Sequence, residues 1–157
     1  MSKTISYKGK LNQGTQDRIR LRTINGKIGY KITKFEVISA TPGADSGDHN
    51  EFVVKIFTKD QTGSISPTVD FTDSELLAVV YYEDHVSPGS GGKDTIIFDN
   101  KVTNQDIFVT SQDAGGGTVP ANYYIELERM TLTDVESTMM TLKSIRTVTS
   151  RWVNNII

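Results

Sequence analysis

Cysteine is absent from this sequence of 157 residues. Without a thiol the chain can form neither a disulfide nor a zinc ribbon, and thiol catalysis is excluded as well. No run of about 18 apolar residues occurs, and the N-terminal MSKTISYKGK lacks the apolar core of a signal peptide. We therefore expect neither a membrane anchor nor a leader, and a protein made in a reducing cytoplasm.

Groups that commonly carry catalysis are also scarce. The sequence contains two histidines, His49 and His85, and both lie in predicted loops beside acids. A Ser-His-Asp arrangement could be assembled with Ser46 or Ser87, but the nucleophile-elbow pattern G-x-S-x-G is missing. The acidic loop 45–51 offers oxygen ligands without EF-hand spacing, so we expect a solvated loop. We predict a protein without enzymatic activity, cofactor or metal.

Composition is that of an ordinary globular chain, with 36% hydrophobic and 23% charged residues. A chain of this length can bury a stable core without disulfides or a structural metal, and no linker interrupts the sequence. We predict a single domain over residues 1–157, with a β-sandwich over about 1–131 and a helix with a tail over about 133–157.

Short strand-like runs separated by Gly, Pro, Asp and Asn fill most of the chain, which is typical of an all-β sandwich or barrel. The candidate strands are roughly 3–8, 17–24, 27–39, 51–58, 75–83, 94–98, 106–110 and 122–130. Eight strands is the number that a jelly roll uses. We therefore predict an all-β, jelly-roll-like sandwich of about eight strands with a C-terminal α-helix.

The C-terminal region changes to a helical period. Thr133 with Glu136 three residues later is a capping-box signature and predicts a helix over about 134–150. Apolar residues recur near every 3.5 positions, at Val135, Met139, Leu142, Ile145 and Trp152. Two placements of this stripe are open: on its own domain, or against a neighbouring subunit. The tail WVNNII is also apolar, and we expect it to dock.

Charge is distributed unevenly along the chain, although the formal net charge is only −2. Residues 1–34 carry nine cations and a single acid, Asp17, whereas the rest carries eight cations and eighteen acids. Such asymmetry indicates either that neighbouring strands pair their charges or that faces of opposite sign bind a partner or further copies.

The strongest turn signal is Asn25-Gly26, inside DRIRLRTINGKIGYKI, because both central residues of a type I′ hairpin turn need positive φ. A two-residue turn here predicts a hairpin in which Ile19 faces Ile32. The other face of that ribbon collects five cations: Arg18, Arg20, Arg22, Lys27 and Lys31. Like charges directly opposite each other are destabilising, so we expect negative charge beside the ribbon.

Three sources of that negative charge are open. Glu126 and Glu128 in NYYIELER could form a salt ladder with the arginines if their strand neighbours the hairpin. An acidic surface on another protein is the second source, because Arg is favoured at interfaces. Nucleic-acid phosphate is the third, but the acidic balance of the whole chain argues against it. The candidate partner-binding residues are Arg18, Arg20, Arg22 and Lys31, with Trp152, Ile156 and Ile157 for apolar docking.

Four stretches resemble a family of small virion structural proteins of marine tailed bacteriophages. They are KIFTKDQTGSISPTVDFTDSELLAVVYY, IIFDNKVTNQDIFVT, NYYIELERMTLTD and TLKSIRT, and the resemblance covers roughly residues 5–150. These stretches are characteristic as whole sequences, and none of them is a catalytic motif. The resemblance implies a structural component of the particle that is assembled in many copies.

For a small β-sandwich of this kind, the commonest implied role is capsid decoration, in which a cement protein stabilises the head by bridging capsomers. The expected partners are the major capsid protein and copies of the chain itself, with a trimer suggested by decoration proteins in general. The expected location is the capsid surface of the virion, after assembly in the host cytoplasm. The alternatives are a tail, head-to-tail adaptor or fibre component, and a carbohydrate-binding jelly roll for host attachment.

Overall fold

The computed structural model describes residues 3–42, 50–84, 91–98, 101–143 and 145. Within these ranges the chain forms eight strands and one helix. The strands are β1 (Lys3–Leu11), β2 (Thr15–Ile19), β3 (Ile28–Ser39), β4 (Asn50–Phe57), β5 (Leu76–Asp84), β6 (Gly91–Ile97), β7 (Ile107–Asp113) and β8 (Ala121–Thr131). The helix, α1, covers residues 134–143 and 145.

The strands form two antiparallel sheets with the order β1-β8-β3 and β2-β7-β4-β5-β6. The first strand pairs with the last, the second with the second-last, and the fourth with the fifth. This nested pairing is the winding of a jelly roll. The remaining nested pair, β3 and β6, meets where the two sheets approach, and there Lys93 forms an ion pair with Glu36. The predicted jelly-roll-like sandwich with a C-terminal helix is confirmed.

The core lies between the inner faces of the two sheets. Alternate residues of each strand point inward, so β8 buries Tyr123, Ile125 and Leu127 while the residues between them stay partly exposed. The facing sheet contributes Phe52 and Ile56 from β4, both fully buried. Burying such side chains contributes roughly 1.5–3 kcal/mol each, which makes this layer the main source of stability.

The predicted hairpin at Asn25-Gly26 is wrong. β2 pairs with β7 in the five-stranded sheet, whereas β3 pairs with β8 in the three-stranded sheet. The turn itself is present, because Gly26 has a φ of 66° and its N–H donates to the carbonyl of Thr23 at 3.3 Å. The turn carries the chain from one sheet to the other. Ile19 and Ile32 are therefore both buried in the core, each on its own sheet.

A second buried layer covers the outer face of the five-stranded sheet. The connection over residues 58–75 lies against this face, and Lys55 of β4 is only 5% exposed beneath it. The Lys55 ammonium donates to the carbonyl of Thr68 at 2.7 Å and lies 5.4 Å from the ring centre of Phe57. Desolvation lowers the pKa of Lys55, although the negative charge of Asp73 partly opposes that shift.

Candidate interaction surface

Asp106 organises the cationic segment that follows β2. Its Oδ2 accepts hydrogen bonds from Nε and Nη2 of Arg18 at 2.8 and 2.6 Å, and its Oδ1 accepts from the backbone N–H groups of Leu21 and Arg22 at 2.9 and 3.0 Å. The carboxylate is 8% exposed. Burial opposes its ionisation, but the bonds from Arg22, Arg18 and Leu21 outweigh burial and hold the pKa of Asp106 below its usual value.

The four cations proposed as a binding site do not form one group. Arg18 is taken up by its ion pair with Asp106. Arg20 and Arg22 are exposed on the connection between the sheets, and neither guanidinium has a hydrogen bond or ion pair within the described ranges. Lys31 lies on the outer face of the other sheet, where it stands opposite Glu128. We call Arg20 and Arg22 the arginine pair.

The predicted salt ladder between Glu126, Glu128 and the arginines is wrong, because lysines and not arginines stand opposite these acids. β8 lies between β1 and β3, so Glu126 stands opposite Lys34 and Glu128 opposite Lys31. Arg18 lies in β2 of the other sheet, and Arg20 and Arg22 follow that strand. The acids of β8 therefore stand beside lysines of the three-stranded sheet and not beside the arginine pair.

Asp17, the single acid among the first 34 residues, also has an internal use. Its Oδ2 accepts a hydrogen bond from the Tyr123 hydroxyl at 2.8 Å, which joins β2 of one sheet to β8 of the other. Burial and this bond to a carboxylate raise the pKa of Tyr123. Asp17 therefore points between the sheets, on the face of β2 opposite Arg18.

The start of α1 is the predicted capping box. The backbone N–H of Glu136 donates to the Thr133 hydroxyl oxygen at 3.2 Å, and the Thr133 N–H donates to Glu136 Oε1 at 3.4 Å. Both bonds satisfy donors that the first turn leaves without intrahelical acceptors. Asp134 in the same turn forms an ion pair with Lys27 at 3.1 Å. The position of the helix start is thus confirmed.

α1 attaches to the sandwich through polar groups. The Ser137 hydroxyl donates to the Gly26 carbonyl at 2.8 Å, and Nδ2 of Asn104 donates to the same carbonyl at 3.0 Å. Asn104 is 1% exposed, and its Nδ2 also lies 3.2 Å from the hydroxyl of Thr141. A Cβ at Gly26 would lie 3.2 Å from both Asn104 Nδ2 and Ser137 Oγ, so the absence of a side chain lets the three elements close.

The opposite side of α1 exposes an apolar stripe, which we call the helix stripe. Its members are Val135, Met139, Leu142 and Ile145, which are 69%, 66%, 56% and 58% exposed. Two placements of this stripe were open from the sequence, and the structure excludes packing on the sandwich of the same chain. Apolar residues that recur on one exposed helix face mark an interaction site more often than isolated ones do.

The arginine pair and the helix stripe are joined by one short segment. The connection that carries Arg20 and Arg22 continues to Asn25 and Gly26, which bind Ser137 of α1. Between Arg22 and Asn25, the side chain of Ile24 is fully exposed. Cationic and apolar groups are thus displayed from a connection and a helix that are held together by hydrogen bonds.

Sequence patterns alone did not identify Asn104, Ser137 and Thr141 as the attachment of α1. The one available signal was the spacing of Ser137 and Thr141, which lie four residues apart on the face opposite the stripe. Other predicted residues cannot be placed: Trp152, Ile156, Ile157 and both histidines lie outside the described residues. Of the acidic loop 45–51, only Asn50 and Glu51 are described, and both belong to β4.

Among the described residues, no group of three or more His, Cys, Asp or Glu side chains is placed to hold a metal ion. No helix in that part of the chain is long and apolar enough to cross a bilayer. In comparisons with known proteins, no family model, no curated protein and no solved structure matches this chain.

Proposed function

We propose that this chain is a non-enzymatic structural protein of a tailed-bacteriophage particle, and that it decorates the capsid and stabilises the head by bridging capsomers. The observation that carries the proposal is the orientation of α1, which turns Ser137 and Thr141 toward the sandwich and the helix stripe outward. Four exposed apolar side chains on one helix face favour an assembly component, because monomeric proteins rarely expose a contiguous apolar patch.

The arginine pair supplies the second contact. Among the described residues, the acids of β8 stand opposite lysines, Asp106 binds Arg18 and Asp17 binds Tyr123. Neither guanidinium of the arginine pair has an acidic partner there, so an acid of another protein can supply one. Arginine suits this role, since its planar guanidinium binds carboxylates with two parallel hydrogen bonds. The major capsid protein is the proposed source of those carboxylates, as the resemblance to virion structural proteins suggests.

Binding to emptied phage heads that lack the protein tests this proposal. The double variant Arg20→Glu with Arg22→Glu should abolish co-sedimentation with the heads while its circular dichroism and melting temperature stay close to those of the wild type. The matched control is Lys8→Glu with Lys10→Glu, the same charge change at two exposed residues of β1 on the other sheet. This control should bind as the wild type does.

Two results would contradict the proposal. If wild-type protein does not bind the heads at all, decoration is wrong. If both double variants lose binding equally, the contact depends on overall charge and the arginine pair has no specific role. Copy number per native particle gives an independent check: hundreds of copies indicate the capsid, whereas six, twelve or a regular series along a tube indicates the tail.

A further inference from the structure

The helix stripe carries a charge pattern that specifies how a second helix would lie on it. Glu136 and Lys143 are both exposed and stand seven residues apart, which is close to two helical turns. They therefore lie on the same flank of the stripe, one near each end of α1. The opposite flank carries Asp134 and Thr138.

This pattern distinguishes the two possible orientations of a pair of identical helices. In an antiparallel pair related by a twofold axis, equivalent flanks face each other, so Glu136 of one copy meets Lys143 of the other, and the contact occurs twice. In a parallel pair the flank with Glu136 meets the flank with Asp134 instead. In that arrangement Lys143 meets no acid on the described part of α1, and Glu136 meets Asp134, whose charge already pairs with Lys27. Charge complementarity favours the antiparallel pair.

The apolar residues fit the same register. With the twofold axis at Met139, Glu136 is level with residue 142 and Val135 with residue 143 of the second copy. The pairs Glu136 with Lys143 and Val135 with Leu142 therefore each match within one residue. Apolar and charged contacts therefore agree on one arrangement. Agreement between two independent patterns is what a specific helix pair requires.

The surface beside the stripe leaves room for this partner. An open groove runs along the flank of α1 that bears Glu136 and Lys143, and its floor includes Met139, Met140 and Val102. The apolar surface therefore continues from the stripe onto the side where the second helix would lie.

We propose that α1 pairs with the α1 of a second copy, antiparallel and about a twofold axis near Met139. One stripe per copy is small beside the roughly 1,200 Å² that a stable interface buries, so the isolated dimer is weak and is strengthened where many copies are held side by side. The proposal rests on the assembly role proposed above, because that role is where many copies lie side by side. Its test uses the purified protein alone and does not require phage particles.

Because the sequence contains no cysteine, single cysteines report the orientation cleanly. The variants are Val135→Cys and Leu142→Cys, each oxidised alone and as an equal mixture, with exposed Thr4→Cys on β1 as the control. In the antiparallel pair each cysteine lies about 10 Å along the axis from its own equivalent, too far for a disulfide. The expected result is a cross-linked dimer from the mixture and almost none from either variant alone.

Each alternative result would overturn the proposal. Efficient cross-linking of Val135→Cys and of Leu142→Cys alone would show a parallel pair. Equal cross-linking of Thr4→Cys would show random collision. Absence of cross-linking in the mixture, together with a monomer at every concentration in sedimentation velocity, would show that the stripe does not bind a second copy. That outcome would leave head binding to be judged by its own assay.

A matched pair of substitutions measures the apolar contribution. Leu142→Glu should weaken the dimer at least tenfold in sedimentation experiments, because it places a charge in the paired stripe. Ile38→Glu makes the same change at a residue of β3 with nearly equal exposure, 55% against 56% for Leu142. Ile38→Glu should leave self-association unchanged, and a loss as large as that of Leu142→Glu would contradict the proposed interface.

Discussion

Replacing Asp106 by asparagine should destabilise the fold by about 2–3 kcal/mol. Asparagine keeps Oδ1 as an acceptor for Leu21 and Arg22, but it puts an NH₂ donor where Oδ2 now accepts two bonds from Arg18. Hydrogen bonds to charged groups contribute about 1.5–3 kcal/mol. Because the Arg18 side chain is 53% exposed, the ion pair itself is discounted to about 1 kcal/mol. The remaining destabilisation comes from the two backbone hydrogen bonds of Leu21 and Arg22, whose acceptor is then a neutral amide oxygen.

Thermal unfolding followed by circular dichroism measures this effect. For a chain of this size each kcal/mol lowers the melting temperature by about 2–4 °C, so a decrease of about 5–10 °C is expected. Arg20→Ala is the matched control, since Arg20 lies two residues from Arg18 but is exposed and has no partner within the described ranges. The control should stay within about 0.5 kcal/mol of the wild type.

The pH dependence gives a second test of the same reasoning. The folded state lowers the pKa of Asp106, so its stabilising effect is present above the unfolded value of 3.8 and is lost as the pH falls through the lower folded value. The difference in the free energy of unfolding between wild type and Asp106→Asn should therefore be at its maximum at pH 6 and should disappear as the pH falls below 3.8. A difference smaller than about 0.5 kcal/mol at pH 6, or one that does not change with acid, would refute this account of Asp106.

Two further predictions concern Lys55 and the attachment of α1. Lys55→Met should be more stable than the wild type by about 1 kcal/mol at pH 7, because methionine removes a charge whose burial costs desolvation. This advantage should shrink as the pH rises toward 10.5, where the buried amine of the wild type loses its proton. Chemical denaturation across that range measures the difference, and a difference that stays constant would contradict the prediction. Asn104→Ala should cost about 2 kcal/mol and Gly26→Ala about 1–2 kcal/mol, the latter because alanine is strained at a φ of 66°. Hydrogen exchange should show both variants losing protection in α1 before the sheets, and unchanged exchange would show that the polar attachment does not hold the helix.

Local patterns predicted most of the fold because strands and helix starts are encoded locally. The eight strands follow from alternation between turn signals, and the helix start follows from Thr133 and Glu136, whose bonds lie within one turn. Pairing is not local. Asn25-Gly26 specifies a turn, but whether its flanking strands pair depends on β7 and β8, which lie about a hundred residues away and compete for the same edges.

The candidate surface was predictable only in part for the same reason. Alternation of arginines indicated an exposed cationic face, yet the engagement of Arg18 depends on Asp106, whose position next to β2 no local pattern reveals. Periodicity found the helix stripe, but a stripe with that period fits either inward or outward packing. The direction is decided by Asn104 and Gly26, which bind the other face of α1.

The nested order of strands also determines when the three-stranded sheet can close. β8 is the central strand of its sheet, so β1 and β3 have no neighbour there until the ribosome has released β8. Long-range pairing such as Lys3 with Arg129 is typical of β folds that close in milliseconds to seconds once the whole chain is present. Because α1 follows β8 directly in the chain, the helix stripe is synthesised only after the last strand of the sandwich.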